Sequence, residues 1–433
     1  MQNIKKNHPA GLWLLCAVET LERFAYYAMR AMLVLYFVYT LKLSVEKSSY
    51  IYGVFNALVY LSAFIGGYMS DKFTGQKKAV VLGCSLMTLG FFAFSVENMF
   101  FIYGAMFLLV LGNGFFKPNM ATLISTLYDK NDPRQDAGFT YFYMAINVGA
   151  FFSAIPAGLG EQYGWKYGFW AAGAAMMLAL AVMLWGQGKW LKGKGDKPAR
   201  VCQKESGPVV KTPLTIDEKK KIAVIFIMSF FSIFFFSAYE QSGTALNLFA
   251  FEATERVINL FGRAFEIPAT WFQSLNPLFI VLLSPVLAKL WVGLAQKGKE
   301  PSTPMKFVWG TWLLGLGFVA LLFAAMKMGP GIKVSMIYLI VANLVFSLGE
   351  LCLSPVGLSL VCKLSPAYFV GFMMAVWQAA AAASYVFAGM YSGCYGKISD
   401  TKFFGILVAV LFVASMLMWF MVRPIKRWMG DVK

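Results

Sequence analysis

The chain has 433 residues, 59% of them hydrophobic and 14% charged, with 41 Phe, 12 Trp and a mean hydropathy of +0.63. That composition excludes a soluble globule and leaves a polytopic membrane protein. The net charge of +17 does not point to nucleic acid, because the Lys and Arg collect on one set of loops: Lys5 and Lys6, Lys72 with Lys77 and Lys78, residues 189–221, and Arg423 with Lys426 and Arg427. This is the positive-inside pattern, with both termini cytoplasmic.

Twelve apolar stretches are long enough to cross a bilayer. They lie at approximately 11–39, 49–70, 78–96, 99–127, 138–159, 167–187, 220–249, 271–293, 304–326, 334–361, 367–392 and 402–422. The first is not a cleaved signal peptide, since charges interrupt its apolar core and no short cleavage region follows. Within it, ETLERFAYYAMR (Glu19 to Arg30) is anomalous. At 100° per residue, Glu19, Glu22, Arg23, Tyr26, Tyr27 and Arg30 share an arc of roughly 140° on one helix face. Each charge facing lipid would cost about 2.5–3.5 kcal/mol or more, so the stripe faces other helices or water. An internal ion-pair staple would satisfy that, but so many polar groups on one face favour a binding or proton-handling surface.

After the second span comes GGYMSDKFTGQKK, Gly66 to Lys78. It resembles the cytoplasmic signature of the major facilitator superfamily, in which Asp71, Lys72, Lys77 and Lys78 would form a charge cluster at helix ends. Gly66 and Gly67 permit close helix approach. In the fourth span, GNGFFKPNMATLISTLY places Lys117 in an otherwise apolar helix. The spacing of Gly112 and Gly114 is not a nucleotide loop, because no strand precedes it and Lys117 occupies the third glycine position. Lys117 needs a carboxylate to remain charged, and Glu22 is the expected partner. A charged turn, Asp129 to Asp136, then leads to Tyr141, Tyr143 and Asn147 in the fifth span.

Residues 188–219 are rich in Lys, Gly, Pro, Ser and Asp and mark a polar linker. The expected division is 1–188 for an N-terminal six-helix bundle, 189–219 for a cytoplasmic linker and 220–433 for a C-terminal six-helix bundle, as in transporters built from two repeated halves. The spans hold four acids: Glu19, Glu22, Glu240 and Glu350. Arg23 and Lys117 lie in the first half and Glu350 in the second, so a zwitterion between the halves would meet cations on one side and an anion on the other. Asn276-Pro277 and Pro285 are expected to break the eighth helix and free carbonyls. The six cysteines show no metal or disulfide spacing and read as small packing residues. The single histidine, His8, precedes the first helix, and neither a metal nor a cofactor is expected.

Taken together, ETLERFAYY, GNGFFKPN, DAGFTYFYMAINVGAF, YEQSGTALNLFA (239–250), WFQSLNPLFIVLLSP (271–285), GELCLSPVGLSLVCKLSP (349–366) and MMAVWQ (373–378) resemble the proton-dependent oligopeptide transporter family, nearly throughout the chain and in the family's order. The resemblance implies an all-α major facilitator fold of 12 transmembrane helices in two six-helix bundles. It implies a symporter that imports di- and tripeptides with protons by alternating access. Glu19, Glu22 and Glu240 would couple protons. Arg23, Lys117 and Tyr27 would hold the substrate carboxylate, and Asn147, Asn276 and Glu350 its other end. Tyr60 and Trp377 would line the pocket wall. The expected partners are the peptide, protons and the bilayer of a plasma membrane, without nucleic acid, and the working unit is a monomer. Two departures stand out. Gln135 replaces a frequent second arginine, and 188–219 is too short and polar for the two extra helices of bacterial members, so twelve spans are expected.

A major facilitator carrier for nitrate or another small anion is the alternative, but it leaves Glu350 without a purpose. A membrane-embedded enzyme lacks a motif: HExxH is absent, and the GxxxxGK of Gly293 to Lys299 continues with Glu300 in a loop. A transporter-like sensor is the third reading, and accumulation of substrate by liposomes separates it.

Overall fold

The computed structural model describes residues 7–129, 132, 134–196, 214–260, 262–329, 331–366 and 370–430. Among them are twelve helical segments of membrane-spanning length: α1 (Ala10–Leu35), α2 (Val45–Thr74), α3 (Gln76–Ala93), α4 (Met99–Thr126), α5 (Arg134–Tyr163), α6 (Trp165–Trp190), α7 (Ile216–Glu252), α8 (Ala269–Gln296), α9 (Thr303–Lys327), α10 (Ile337–Leu364), α11 (Val370–Ser392) and α12 (Asp400–Met429). Ten pass as spans on length and hydropathy alone. The exceptions are α1, which carries the charged stripe, and the short α3. The expected linker 189–219 falls largely on 197–213, outside the described residues.

The chain separates into two compact units, residues 1–32 with 58–208, and 33–57 with 209–433. In the first unit, the helix spacing is set by glycine. A Cβ on Gly112 would come within 2.9 Å of the Gly83 carbonyl on α3, and one on Gly114 within 2.6 Å of the Ser62 carbonyl on α2. Pro118 has no N–H for the Gly114 carbonyl four residues back, and Gly66 of α2 packs directly on that carbonyl. The Gly-x-Gly spacing is therefore a helix-packing device. A Cβ on Gly149 of α5 would likewise lie 2.8 Å from Cβ of Arg23.

The Gly66–Lys78 segment, the end of α2 and the start of α3 joined at Gly75, departs from the expected charge cluster. Asp71 accepts a hydrogen bond from Gln76 (3.2 Å). Lys77 pairs with Asp196 just beyond α6 and donates to the Leu191 carbonyl (3.2 Å). Lys72 lies over the Tyr68 and Phe73 rings. The last carbonyls of α6 are the stronger attraction, because a helix C-terminus leaves acceptors unbonded and carries partial negative charge.

In the second unit, α7 opens with a capping box between Thr215 and Glu218. It narrows to a 3-10 turn at Glu240–Gly243 before resuming to Glu252. Gln241 donates to the Ser237 and Ala388 carbonyls (3.1 and 3.2 Å) and accepts from Ser392 (2.6 Å), so the broken turn is satisfied by α11. Helix α8 is not broken as expected. Its first six residues, Ala269–Ser274, form a 3-10 stretch that passes into α-helix at Leu275, so Pro277 sits in the first α-helical turn. The α-helix continues through Pro285, where Ser284 donates to the Ile280 carbonyl (2.5 Å). Gly310 and Gly349 bring α9 and α10 together, each meeting the other's carbonyl. A short hairpin, β2 (Val257–Leu260) against β3 (Arg263–Glu266), and a parallel pair, β1 (Thr254–Glu255) with β4 (Val334–Ser335), occupy loops with no apolar periodicity to announce them.

Overpacking at the α4 contact should destabilise the protein. Gly114→Leu is expected to cost about 1–3 kcal/mol or more, read as a lower unfolding temperature by tryptophan fluorescence in detergent. Gly104→Ala, on the same helix with open space at its Cβ, should leave that temperature unchanged.

Candidate functional site

In the first unit, the stripe on α1 folds into a buried cluster. Arg23 bonds Glu22 and lies 3.2 Å from Glu19, and the three residues are 4%, 0% and 3% exposed respectively. A buried guanidinium requires such pairing, since removing one partner of a buried pair costs roughly 3–5 kcal/mol. The second Glu22 oxygen accepts from Asn113 Nδ2 of α4 (3.3 Å). Thr20 donates to the Ala145 carbonyl of α5 (3.2 Å), which fixes α1 against α5 beside Gly149. Among the described residues, Arg23 Nη2, Glu19 Oε2 and Asn113 Oδ1 have no hydrogen-bond partner.

Lys117 is not paired with Glu22 as expected. Its Nζ sits 4.5 Å from the centre of the Tyr60 ring, and no Lys117 ion pair occurs among the described residues. Glu22 is already held by Arg23 and Asn113, and the electron-rich ring face satisfies the ammonium instead. Tyr27 lies under Arg30 (5.5 Å), the Tyr26 ring lies 5.3 Å from Arg23, and both tyrosines are within electrostatic range of Arg23. Asn147 turns its amide to its own helix, donating to the Tyr143 carbonyl (2.9 Å).

In the second unit, Asn276 Nδ2 on α8 donates to Glu350 (3.0 Å) and lies 3.0 Å from Ser347 Oγ, one turn earlier on α10. Tyr239 of α7 also hydrogen-bonds the Glu350 carboxyl, and Glu240 lies within electrostatic range of it. Glu240 is 5% exposed, at the start of the 3-10 turn. Trp377 is 5% exposed and wedged between Gly357 and Phe307. The sequence reading missed Asn113, Ser347 and Tyr239, while Tyr26 was placed on the polar face of α1 without a role. For Asn113 the signal was present, since a polar residue between two packing glycines must face a third helix.

Outside the spans, Asp132 takes Arg134 in a two-pronged bond (Nε 3.0 Å, Nη2 2.6 Å), and Arg134 also donates to the Asn7 carbonyl (2.6 Å). These bonds stabilise the carboxylate and hold the Asp132 carboxyl down to about 2. Beside it, His8 hydrogen-bonds the Tyr128 hydroxyl (2.8 Å) and meets the Tyr141 ring edge-on.

A model of the POT family matches residues 77–206 and 199–407. The chain is 33% identical to the uncharacterized transporter YclF of Bacillus subtilis over 479 residues, covering 98% of this chain and 96% of that protein. It is 32% identical to the peptide transporter YePEPT of Yersinia enterocolitica over 497 residues, with 98% and 96% covered. Both alignments run longer than the 433 residues present here. Among solved structures, a peptide transporter POT in complex with sulfate matches with TM-score 0.89 and 30% identity over 97% of this chain and 96% of that one. The fold is accordingly the all-α major facilitator fold, twelve transmembrane helices in two bundles.

The bonded Asp132 carboxyl makes a prediction with a definite sign. A depressed carboxylate contributes above its unfolded value of about 3.9 and loses the contribution as pH falls through about 2. Hydrogen-exchange protection of residues 7–12 should therefore be unchanged from pH 7 to 4 in the wild type. Asp132→Asn should lower it several-fold across that range, because Arg134 no longer has its carboxylate.

Proposed function

The chain belongs to the POT family, and from that premise we propose that it imports di- and tripeptides together with protons by alternating access of its two helical bundles. The observation that carries this reading is the buried Glu19–Arg23–Glu22 cluster, whose guanidinium keeps one amino group without a hydrogen-bond partner among the described residues. Two carboxylates surround one cation. A proton delivered to Glu22 weakens the hold on Arg23, which then offers its free edge to a substrate carboxylate bidentately. Lys117, resting on Tyr60, adds a second positive charge. Glu350 with Asn276 supplies an anion and an amide for the peptide amino end. Glu19 and Glu240 are further proton-linked acids, and Tyr27 and Asn147 complete the polar lining. Tyr60 and Trp377 act through packing around the site.

A tripeptide spans roughly 10 Å when extended, a length suited to recognition at both ends. One proton crossing 100 mV and one pH unit supplies about 3.7 kcal/mol. That sustains roughly 500-fold accumulation of a neutral zwitterion, so a single proton suffices thermodynamically. The reading places the protein in the plasma membrane as a monomer with both termini cytoplasmic, and gives it no enzymatic chemistry. A carrier for nitrate or another small anion is not favoured, since Glu350 and its amide partner would face no cation.

Uptake of labelled dialanine into proteoliposomes, with and without an imposed proton gradient, tests the proposal. Accumulation is expected only with the outside acidic, and gradient-independent equilibration would refute coupling. Glu22→Gln keeps volume and hydrogen bonding but cannot exchange a proton. It should lose accumulation at least tenfold while retaining counterflow of labelled for unlabelled peptide. Intact accumulation in this variant would remove Glu22 from the coupling path.

A further inference from the structure

We propose that Asn113 is a positioning residue for proton coupling, an amide partner that serves Glu22 in both its charged and its protonated form. The inference rests on the assignment of Glu22 as a coupling acid. Asn113 is 1% exposed and Glu22 wholly buried, and their contact joins α4 to α1. In the present arrangement Nδ2 donates to Glu22 Oε1 at 3.3 Å, which suits a carboxylate. The other end of the same amide, Oδ1, is buried and has no hydrogen-bond partner among the described residues.

The chemistry of the amide explains this arrangement. A carboxylate is acceptor-only, whereas a protonated carboxyl carries an O–H that needs an acceptor. An amide holds two donors and an acceptor on one planar group, so rotation about its terminal bond exchanges one for the other. Leucine or alanine at this position would deprive both forms of Glu22 of this partner, and a carboxylate would add a like charge. A buried polar group without a partner costs about 1–3 kcal/mol. A partner able to satisfy both states keeps that penalty out of the transport cycle.

The backbone fixes the geometry. Gly112 seats α4 on α3 and Gly114 seats it on α2, so the intervening residue is turned to α1 at a set distance. The groups surrounding Glu22 support a specific role for this contact. Its own helix supplies Arg23 and Glu19. Lys117 on α4 and Cys84 on α3 are within electrostatic range, and Tyr60 of α2 covers Lys117. Among these groups, Asn113 is the neutral side chain in hydrogen-bond contact with the Glu22 carboxyl.

An isosteric pair provides the test. Asn113→Thr retains a hydroxyl that donates and accepts, whereas Asn113→Val has the same shape without it. Both are reconstituted, and gradient-driven dialanine uptake is followed against external pH. Valine removes a partner from both forms, but the hydrogen bond to the charged carboxylate is the stronger of the two, so its loss favours the protonated form. The Val variant should therefore reach half-maximal uptake at a pH about one unit higher, a tenfold change in proton concentration, while the Thr variant keeps the wild-type midpoint. In a Glu22→Gln background, Val and Thr should give the same binding of dialanine at every pH, because the partner no longer titrates. Superimposed pH profiles for Val and Thr overturn the proposal, as does a Val–Thr difference that persists with Gln at position 22. Should neither variant accumulate peptide, equilibrium dialanine binding against pH in detergent reads the same midpoint. An unshifted Val midpoint there overturns it equally.

Discussion

A cation inside an apolar helix bundle must be neutralised by groups that are themselves buried, and the arrangement around Arg23 follows from that constraint. Removing an ion from water costs several kcal/mol per group even after relaxation. Arg23 meets the cost with Glu19 one turn earlier and Glu22 adjacent, all on one helix. Two carboxylates and one guanidinium on α1 do not balance by themselves, and Lys117 of α4 lies within electrostatic range of both acids. Under the proposed function, that excess of acids on α1 is where a coupling proton would bind.

Such a cluster works only if neighbouring helices come close enough to exclude water and hold still. Small residues provide this where the ions are. Gly149 of α5 faces Cβ of Arg23, Gly112 and Gly114 flank Asn113, and in the second unit Gly349 precedes Glu350 and meets Gly310 of α9. In each case a residue without a side chain sets the backbone distance from which a neighbouring polar side chain reaches its partner. Without a hydrophobic driving force between helices in lipid, this close packing supplies much of their association.

The chain's twelve spans were legible because long apolar runs leave little choice of structure in a membrane. The α1 cluster was legible too, since Glu19, Glu22 and Arg23 lie on one helix and periodicity alone puts them on one face. What depended on partners from other helices was harder to read. Lys117 was expected beside Glu22, but Arg23 and Asn113 each hold one oxygen of that carboxylate and an aromatic face took the ammonium. Lys77 was expected to join a cluster with Asp71 and instead found Asp196 and a helix end some hundred residues away in sequence. Proline misled at Pro277 and Pro285 because its effect depends on position in the turn, and both sit where the helix continues.

The two cations of the first unit differ in how readily they can be given to a ligand. Arg23 is bound by two carboxylates, and separating a buried pair costs roughly 3–5 kcal/mol. Lys117 rests on an aromatic ring, an interaction worth about 0.5–2 kcal/mol. In the proposed cycle, an anionic ligand group would therefore draw Lys117 away from Tyr60 at small cost, in any protonation state of the cluster. Arg23 would become available only once a proton had loosened Glu22, so that one cation would supply a standing attraction and the other a conditional one. A symporter needs that distinction, because a site equally ready with and without the proton would carry its substrate downhill uncoupled.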